Sequence, residues 1–411
     1  MEVMPGYKQT EVGVIPKDWE LATLGTLTSE IGDGIHATPL YSPHGEYFFI
    51  NGNNIRDGRI VVTKDTKTVD YSEFKKHRKN LGDRTILLSI NGTIGNLGLY
   101  AGEAVLLGKS AAYLNIRGEV GKLFVYYYLQ TGTVRRQFND GLTGTTINNL
   151  GLATIRATLI AVPPTKAEQE AIAEVLSKAD ALIETLERLI AKKRLLKKGV
   201  MQRVLRPKDG WIVKALGENC EVITKGTTPT SIGRDFISSG INFLKAESIS
   251  ESGEPIPGKM AFIDEFTHKL LKRSQLMEGD ILISIAGVLG RVGLVERNVL
   301  PANTNQALAI IRLSKESEFE RSYLFYYLRS SMIQKQIRDI NVQAAQANIS
   351  LQNVREFQIN FPSSRDEQTA IAAILSAIDT EIALLEAQLA KYRQLKQGLM
   401  QKLLTGRIRL I

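Results

Sequence analysis

Residues 168–177 read EQEAIAEVLS and residues 367–376 read EQTAIAAILS, with seven of ten letters unchanged. The repeat extends outward in register. KKGVMQRVL (197–205) returns as KQGLMQKLL (396–404), and GDRTILLSINGTIGNLGL (82–99) is answered by GDILISIAGVLGRVGL (279–294). VYYYL (125–129) is matched by LFYYL (324–328), and IPKDWELATLG (15–25) by RPKDGWIVKALG (206–217). A chain of 411 residues built this way is two copies of a unit of about 200 residues, each a globular head followed by a long helix.

The helices are read from their apolar spacing. Ile172, Leu176, Ala179, Ile183, Leu186 and Ile190 alternate steps of four and three, the seam of a coiled coil, and Val200 and Val204 resume it after Lys193 and Lys197. In the second copy Ile371, Leu375, Ile378, Ile382, Leu385, Leu389, Tyr392, Leu399 and Leu403 hold the same register, with only Lys396 polar. Pro163, Pro164 and Pro362 stop the preceding segments, and Thr165 or Ser363 and Ser364 supply caps. Glu168, Glu170 and Glu174 stand early in the first helix and Lys192, Lys193, Arg194, Lys197 and Lys198 late, an order that suits the helix dipole. Each helix has about 40 residues, roughly 60 Å at 1.5 Å per residue, and is too long to be stable alone. The nearest partner for its seam is the other copy. The first helix ends near Leu205 and the second head begins almost at once at Trp211, so an antiparallel pair with one head at each end of a two-helix rod is the cheaper arrangement.

The heads are mixed. YFFIN, RTILLSI and DILISIAG are apolar and β-rich, glycine-rich runs between them read as turns, and VYYYLQTGTVRRQFND and SYLFYYLRSSMIQKQIRDI read as short amphipathic helices. The expected fold class is α+β: two similar globular α+β heads joined by two long antiparallel helices in a pseudo-two-fold repeat. The expected boundaries are 1–163 for the first head, 164–205 for the central spacer helix, 206–362 for the second head, and 363–411 for the distal helix and tail. An approximate two-fold axis relating the heads matches the local symmetry of DNA, and suits two inverted half-sites.

A net charge of +9 and a pI near 9.3 favour a polyanionic partner. No apolar run reaches the roughly 20 residues that cross a bilayer, and MEVMPGYKQTEVG has no signal-peptide pattern, so a cytoplasmic location is expected. Cys220, alone in the chain, excludes an internal disulfide and a thiolate zinc site, and reads as a buried, reduced thiol.

The catalytic motifs fail on spacing. GEAVLLGKS (102–110) has five residues between its glycines where a phosphate-binding loop requires four, and the insert is strand-like. GTIGNLG and GVLGRVG lack dinucleotide-loop spacing and read as hairpin turns. His36, His44, His77 and His268 form no metal-ligand pattern, and no nucleophile triad or Asn-Pro-Pro-aromatic motif occurs. The expectation is a chain without catalytic apparatus or metal of its own.

Basic clusters stand at corresponding places: Lys75, Lys76, Arg78 and Lys79 in FKKHRKN, and Lys269, Lys272 and Arg273 in THKLLKRSQ. They read either as a solvated charged surface or as phosphate contacts, which strengthen binding without reading sequence. Base reading needs amide or guanidinium groups on loops. The candidates are Asn53, Asn54 and Arg56; Thr145, Thr146 and Asn148; Lys225, Thr227 and Arg234; and Gln343, Gln346 and Asn348. Ordinary turn chemistry is the competing reading for each.

The layout resembles the specificity subunit of type I restriction-modification systems. EQEAIAEVLSKAD and EQTAIAAILSAID open the helices, GVMQRVL and GLMQKLLTGRIRL close them, GDILISIAGVLG lies in a head, and YKQTEVGVIPKDW stands at the start. The likeness covers essentially the whole chain. It implies two target-recognition domains on a helical spacer, each reading one part of a split double-stranded DNA site, with the differing heads giving an asymmetric target. It also implies that chemistry lies with two modification subunits, which flip out an adenine and methylate its N6 from S-adenosylmethionine. Motor subunits that hydrolyse ATP would add restriction, and neither cofactor is expected on this chain. The outward helix faces are the expected docking surface. Gly199 and Gly398 sit at matching helical positions and read as either a close approach by a partner or a plain irregularity near the helix end. Two rival readings are an enzyme, for which no cofactor loop or carboxylate cluster is found, and a two-headed scaffold that does not bind DNA. Salt-dependent DNA binding separates the last from the specificity reading.

Overall fold

The computed structural model describes residues 5–143, 148–342 and 348–410. Contacts divide the chain into two compact units, residues 1–186 with 388–411 and residues 187–387, and both long helices contribute to each.

In unit 1 the head consists of β1 (Glu20–Thr23), β2 (Thr28–Asp33), β3 (Tyr47–Ile50), β4 (Thr68–Val69), α1 (Tyr71–His77), β5 (Thr85–Ser89), β6 (Leu97–Leu99), β7 (Val105–Leu107), β8 (Ala111–Ile116), α2 (Lys122–Tyr128), α3 (Gly132–Asp140) and β9 (Leu159–Val162). The helix α4 (Lys166–Val204) follows. One sheet has the order β6-β5-β8-β2 and is antiparallel throughout. A second has the order β7-β3-β4, with β7 parallel to β3. The strand β1 pairs with β9, closing the head over more than a hundred residues of chain.

Unit 2 repeats this topology. Its elements are β10 (Trp211–Ala215), β11 (Cys220–Lys225), β12 (Ile241–Leu244), β13 (Ala261–Ile263), α5 (Glu265–Leu270), β14 (Ile281–Ser284), β15 (Val292–Leu294), β16 (Ala302–Thr304), β17 (Leu308–Leu313), α6 (Arg321–Leu328), α7 (Ser331–Val342), β18 (Gln358–Pro362) and α8 (Arg365–Leu403). The sheets run β15-β14-β17-β11 and β16-β12-β13, again with one parallel pair, β16 on β12, and β10 pairs with β18. The runs expected to be hairpin turns do join antiparallel strands, β5 to β6 and β14 to β15.

The run expected as one amphipathic helix in each head is two. Thr131 ends the first in unit 1 and caps the next, its Oγ1 accepting the Val134 N–H at 3.4 Å. The helix α6 is not amphipathic: Tyr323 through Leu328 are all buried, because this helix lies inside the core. Cys220 is half-buried, its thiol donating to the Leu216 carbonyl at 3.2 Å, and burial pushes its pKa up to about 12.

Each head core is completed by both long helices. In unit 1, Ile172 and Leu176 of α4 and Leu403 at the end of α8 join Trp19, Ile86, Leu114 and Phe124. Ile371 and Leu375 of α8 and Leu205 after α4 do the same in unit 2, beside Ile283, Tyr323 and Phe361. These four early seam residues therefore share their buried clusters with head residues as well as with the facing long helix. Full burial of one such side chain contributes about 1.5–3 kcal/mol. Farther along, Leu186, Ile190 and Ile382 are buried, and Ile183, Ile378, Leu385 and Leu389 are half-buried.

The helices run antiparallel within each unit, as ion pairs show. In unit 1, Lys396 Nζ lies 2.6 Å from Asp180, whose other oxygen accepts the Tyr127 hydroxyl at 2.9 Å. In unit 2, Lys197 pairs with Asp379, which accepts the Tyr326 hydroxyl at 3.1 Å. Tyr, Asp and Lys recur at the same offset, so one cluster is built twice. Each lysine also faces the tyrosine ring, at 5.5 Å and 5.7 Å from its centroid. Lys193 and Arg194 add bonds to Glu381 and Glu386 in unit 2. The polar breaks in the seam are thus matched to acids on the facing helix, which pins register.

Asp379 carries a second cation, the Arg329 guanidinium at 3.6 Å. Asp379→Ala leaves two cations uncompensated and is expected to destabilise unit 2 by about 2–3 kcal/mol, at or below the lower end of the roughly 3–5 kcal/mol for a fully buried pair because Asp379 keeps some solvent contact. Asp180→Ala, which strands only Lys396, should cost less. Calorimetric unfolding of both variants checks the order, and Lys197→Met with Asp379→Leu should recover part of the loss.

Candidate nucleic-acid interface

Five loops meet at one end of the sheets in unit 1, and four of them have counterparts that meet in unit 2. In unit 1, the chain after β2 crosses β7, with Ile35 N–H donating to Leu107 O at 2.8 Å. The loop after β3 is tied to the one between β7 and β8: Ser110 Oγ accepts the Gly52 N–H and donates to Asn51 Oδ1, both at 2.9 Å. The β5–β6 hairpin joins through Ile90 N–H to Ser110 O, and Asn91 bridges to Asn149. In unit 2, Thr227 N–H reaches Thr304 O at 3.1 Å, Thr228 bonds Gln306, Ile285 N–H reaches Ala307 O at 2.8 Å, and Ala286 bridges to Asn348.

Glycine is required where the first of these loops crosses the parallel strand. A Cβ at Gly34 would overlap the Leu107 carbonyl, and one at Gly226 the Thr304 carbonyl. The same constraint at matching places holds both loop clusters in one backbone frame.

The frame brings some sequence candidates together and commits others to structure. Asn53, Asn148 and Asn348 are exposed on it. Asn54 is not free for bases: its Oδ1 accepts the Asn51 N–H at 3.1 Å and its Nδ2 donates to Val61 O at 3.0 Å. Arg56 is exposed on a short two-residue strand paired to Arg59. Thr145, Thr146, Gln343 and Gln346 lie outside the described residues.

The basic clusters flank the frame. Lys75, Lys76 and Arg78 are exposed on or just after α1, and Lys76 lies 3.3 Å from Glu73. Glu73 also accepts the Leu40 N–H at 3.1 Å, which ties α1 to the loop after β2. That bond first, and Lys76 after it, hold the Glu73 carboxyl below the usual range. Arg78 and Lys79 line a cavity of about 750 Å³ with Tyr47, Phe74 and Tyr100. In unit 2, Arg273 donates to Thr227 Oγ1 at 3.1 Å, which puts it on the frame. Arg234 stands 3.8 Å from Asp264 and covers the Phe266 ring at 4.7 Å, and Lys269 pairs with Glu265 at 2.8 Å. Lys225 and Lys272 are exposed and make no ion pair among the described residues.

Sequence reading missed Lys109, His36, Thr228 and Gln306, which stand on these loops. The signal was available, because each follows a strand that recurs in the other head. Among the described residues, no group of three or more His, Cys, Asp or Glu could hold a metal ion. No helix there is long and apolar enough to cross a membrane.

Two loop frames of one topology, with different side chains at matching places, define an internally duplicated protein. Residues 16–192 and 208–392 each match the type I restriction modification DNA specificity domain, and the chain belongs to that family. It is similar to a Methanocaldococcus jannaschii protein provisionally described as the MjaX specificity subunit of a type I restriction enzyme, 29% identical over 98% of this chain and 96% of the relative. The Escherichia coli EcoBI specificity subunit is 22% identical over 87% of this chain and 81% of its own length. The fold is shared with the S subunit of a type I restriction-modification system from M. genitalium, with a TM-score of 0.60 and 19% identity over 98% of both chains. The function is DNA specificity in type I restriction-modification.

Because Gly226 allows the close crossing, Gly226→Ala is expected to shift the loop and destabilise unit 2 by about 1–3 kcal/mol, as overpacking does. Urea unfolding measures the loss, and an unchanged midpoint would contradict the crossing.

Proposed function

We propose that each head reads one half of an asymmetric, split DNA site, that the two long helices set the interval, and that their exposed faces dock two methyltransferase subunits. The observation that carries the reading is the contrast between frame and side chains. Helix residues Asp180 and Asp379, Lys396 and Lys197, and Tyr127 and Tyr326 are the same in both units, whereas the loops they support carry Ile35-His36 against Thr227-Thr228, and Lys109-Ser110 against Gln306-Ala307. Identical supports with different reading edges suit two different half-sites. The catalytic chemistry then belongs to partners, with S-adenosylmethionine on the methyltransferase and ATP on motor subunits, and no cofactor on this chain.

Docking is supported by apolar side chains that the helices leave in solvent. Leu195 is 71% exposed, Leu384 66% and Leu395 53%. Gly199 and Gly398 lie in unbroken helix, and a Cβ at either would meet no heavy atom within 4 Å. Nothing in the chain itself requires glycine there, which favours close approach by a partner over a helix irregularity. Replacing both by alanine should stabilise the free chain by about 0.5–1 kcal/mol per site. It should also weaken assembly with the methyltransferase. Assembly of undiminished strength in a pull-down titration would remove the docking role of the glycines.

The test of specificity is co-expression with the methyltransferase subunit of the same restriction-modification system, followed by sequencing of host DNA for N6-methyladenine. One split motif that requires both chains is expected, and substitutions at Asn148 or Asn348 should alter only one half of it. Lys75→Ala should weaken binding to all sequences alike and lower the slope of log affinity against log salt by about 1. A methylation pattern indifferent to this chain would favour the scaffold reading.

A further inference from the structure

We propose that unit 2 contains an oxyanion site, built to take a phosphate group, at the start of α7. A cavity of about 420 Å³ lies there between the last turns of α4 and the junction of α6 with α7. Lys198 and Arg206 line one side, and Arg329, Ser330 and Arg338 the other. Lys198, Arg206 and Arg338 make no ion pair among the described residues. Arg329 is mostly buried, with one terminal nitrogen donating to Glu251 O at 2.7 Å, while Nη1 has no hydrogen-bond partner. Its nearest carboxylate, Asp379 at 3.6 Å, is shared with Lys197, so positive charge is in excess.

The hydroxyl of Ser330 supplies the second sign. Ser330 is 3% exposed and its Oγ has no partner. It immediately precedes a helix of 12 residues, whose first N–H groups point toward the same end. The matching residue of unit 1, Thr131, spends its oxygen on the Val134 N–H, and Gln130, which stands where Arg329 does, donates to Tyr126 O at 3.2 Å. Unit 1 thus satisfies its groups internally and unit 2 does not. A buried donor left unpaired costs about 1–3 kcal/mol, and a tetrahedral oxyanion satisfies hydroxyl, guanidinium and helix terminus together. Met201 and Met332, also in the wall, offer an apolar shelf for the body of a phosphorylated molecule.

Two sources carry this chemistry: a free phosphate, as inorganic phosphate or ADP, and the phosphate of a DNA backbone. The full chain is titrated with inorganic phosphate, ADP and, at equal ionic strength, chloride, following the unfolding midpoint and heat of binding. Ser330→Ala and the double variant Lys198→Gln, Arg338→Gln are compared with the parent, the latter pair being exposed and so tolerant of change. For a free ligand, phosphate or ADP raises the midpoint where chloride does not, and both variants bind it at least about tenfold more weakly, the factor expected for one charge-assisted bond. For a backbone phosphate, the variants lose DNA affinity by a similar factor and phosphate competes with DNA. Equal responses to phosphate and chloride, together with unchanged DNA affinity in the variants, would overturn the site.

Discussion

An aspartate in each long helix does more than pair charge. Asp180 and Asp379 each bind a lysine of the facing helix and a tyrosine of the adjoining head, so one carboxylate fixes helix to helix and head to helix. Apolar seams tolerate sliding by a whole turn, because one leucine replaces another at little cost. A carboxylate surrounded by largely buried donors does not, since sliding would strand its partners in a dry place. Burial acts on the same cluster from the other side, lowering the Lys197 pKa and raising that of Tyr326. The position of each reading frame on its helices therefore depends on a polar contact set within an apolar seam.

The repeat and the helices were legible because their information is local. A seam spaced by fours and threes declares itself over four turns, and two copies of EQ-AIA declare the duplication. The sheets were not legible in the same way. Their parallel pairs, β3 with β7 and β12 with β16, join segments more than fifty residues apart, and no short window records that. The helix α6 misled for a related reason. Periodicity reports a face only when one side meets water, and Tyr323 through Leu328 meet none. Ile172 and Leu176 fit a seam and are also covered by a head core, because spacing states that a face is buried without naming all that covers it.

The candidate interface was half legible. Asn148, Asn348 and the basic clusters stood out as polar loops or charge runs. Lys109 and Gln306 were hidden, one beside a correctly read apolar strand in a run weighed only as a nucleotide motif and the other in an unremarkable turn. Asn54 looked like a reader of bases and is instead occupied within its own turn. What decides between these cases is which carbonyls and N–H groups already have partners, and that depends on tertiary pairing.

The sharing of α8 between units also sets an order of events during synthesis. Leu403 and Leu404 complete the core of unit 1, and Arg409 closes over it by bonding Glu168 at 2.8 Å and Asp18 at 3.0 Å. The head translated first must therefore wait for Leu403 and Leu404, synthesised after the whole of unit 2, before its apolar surface is covered. Unit 2 has Leu205 in hand before its own strands emerge, and needs only the early turns of α8. The younger head can close while the older one is still open, so the interval in which aggregation threatens falls on the head that leaves the ribosome first.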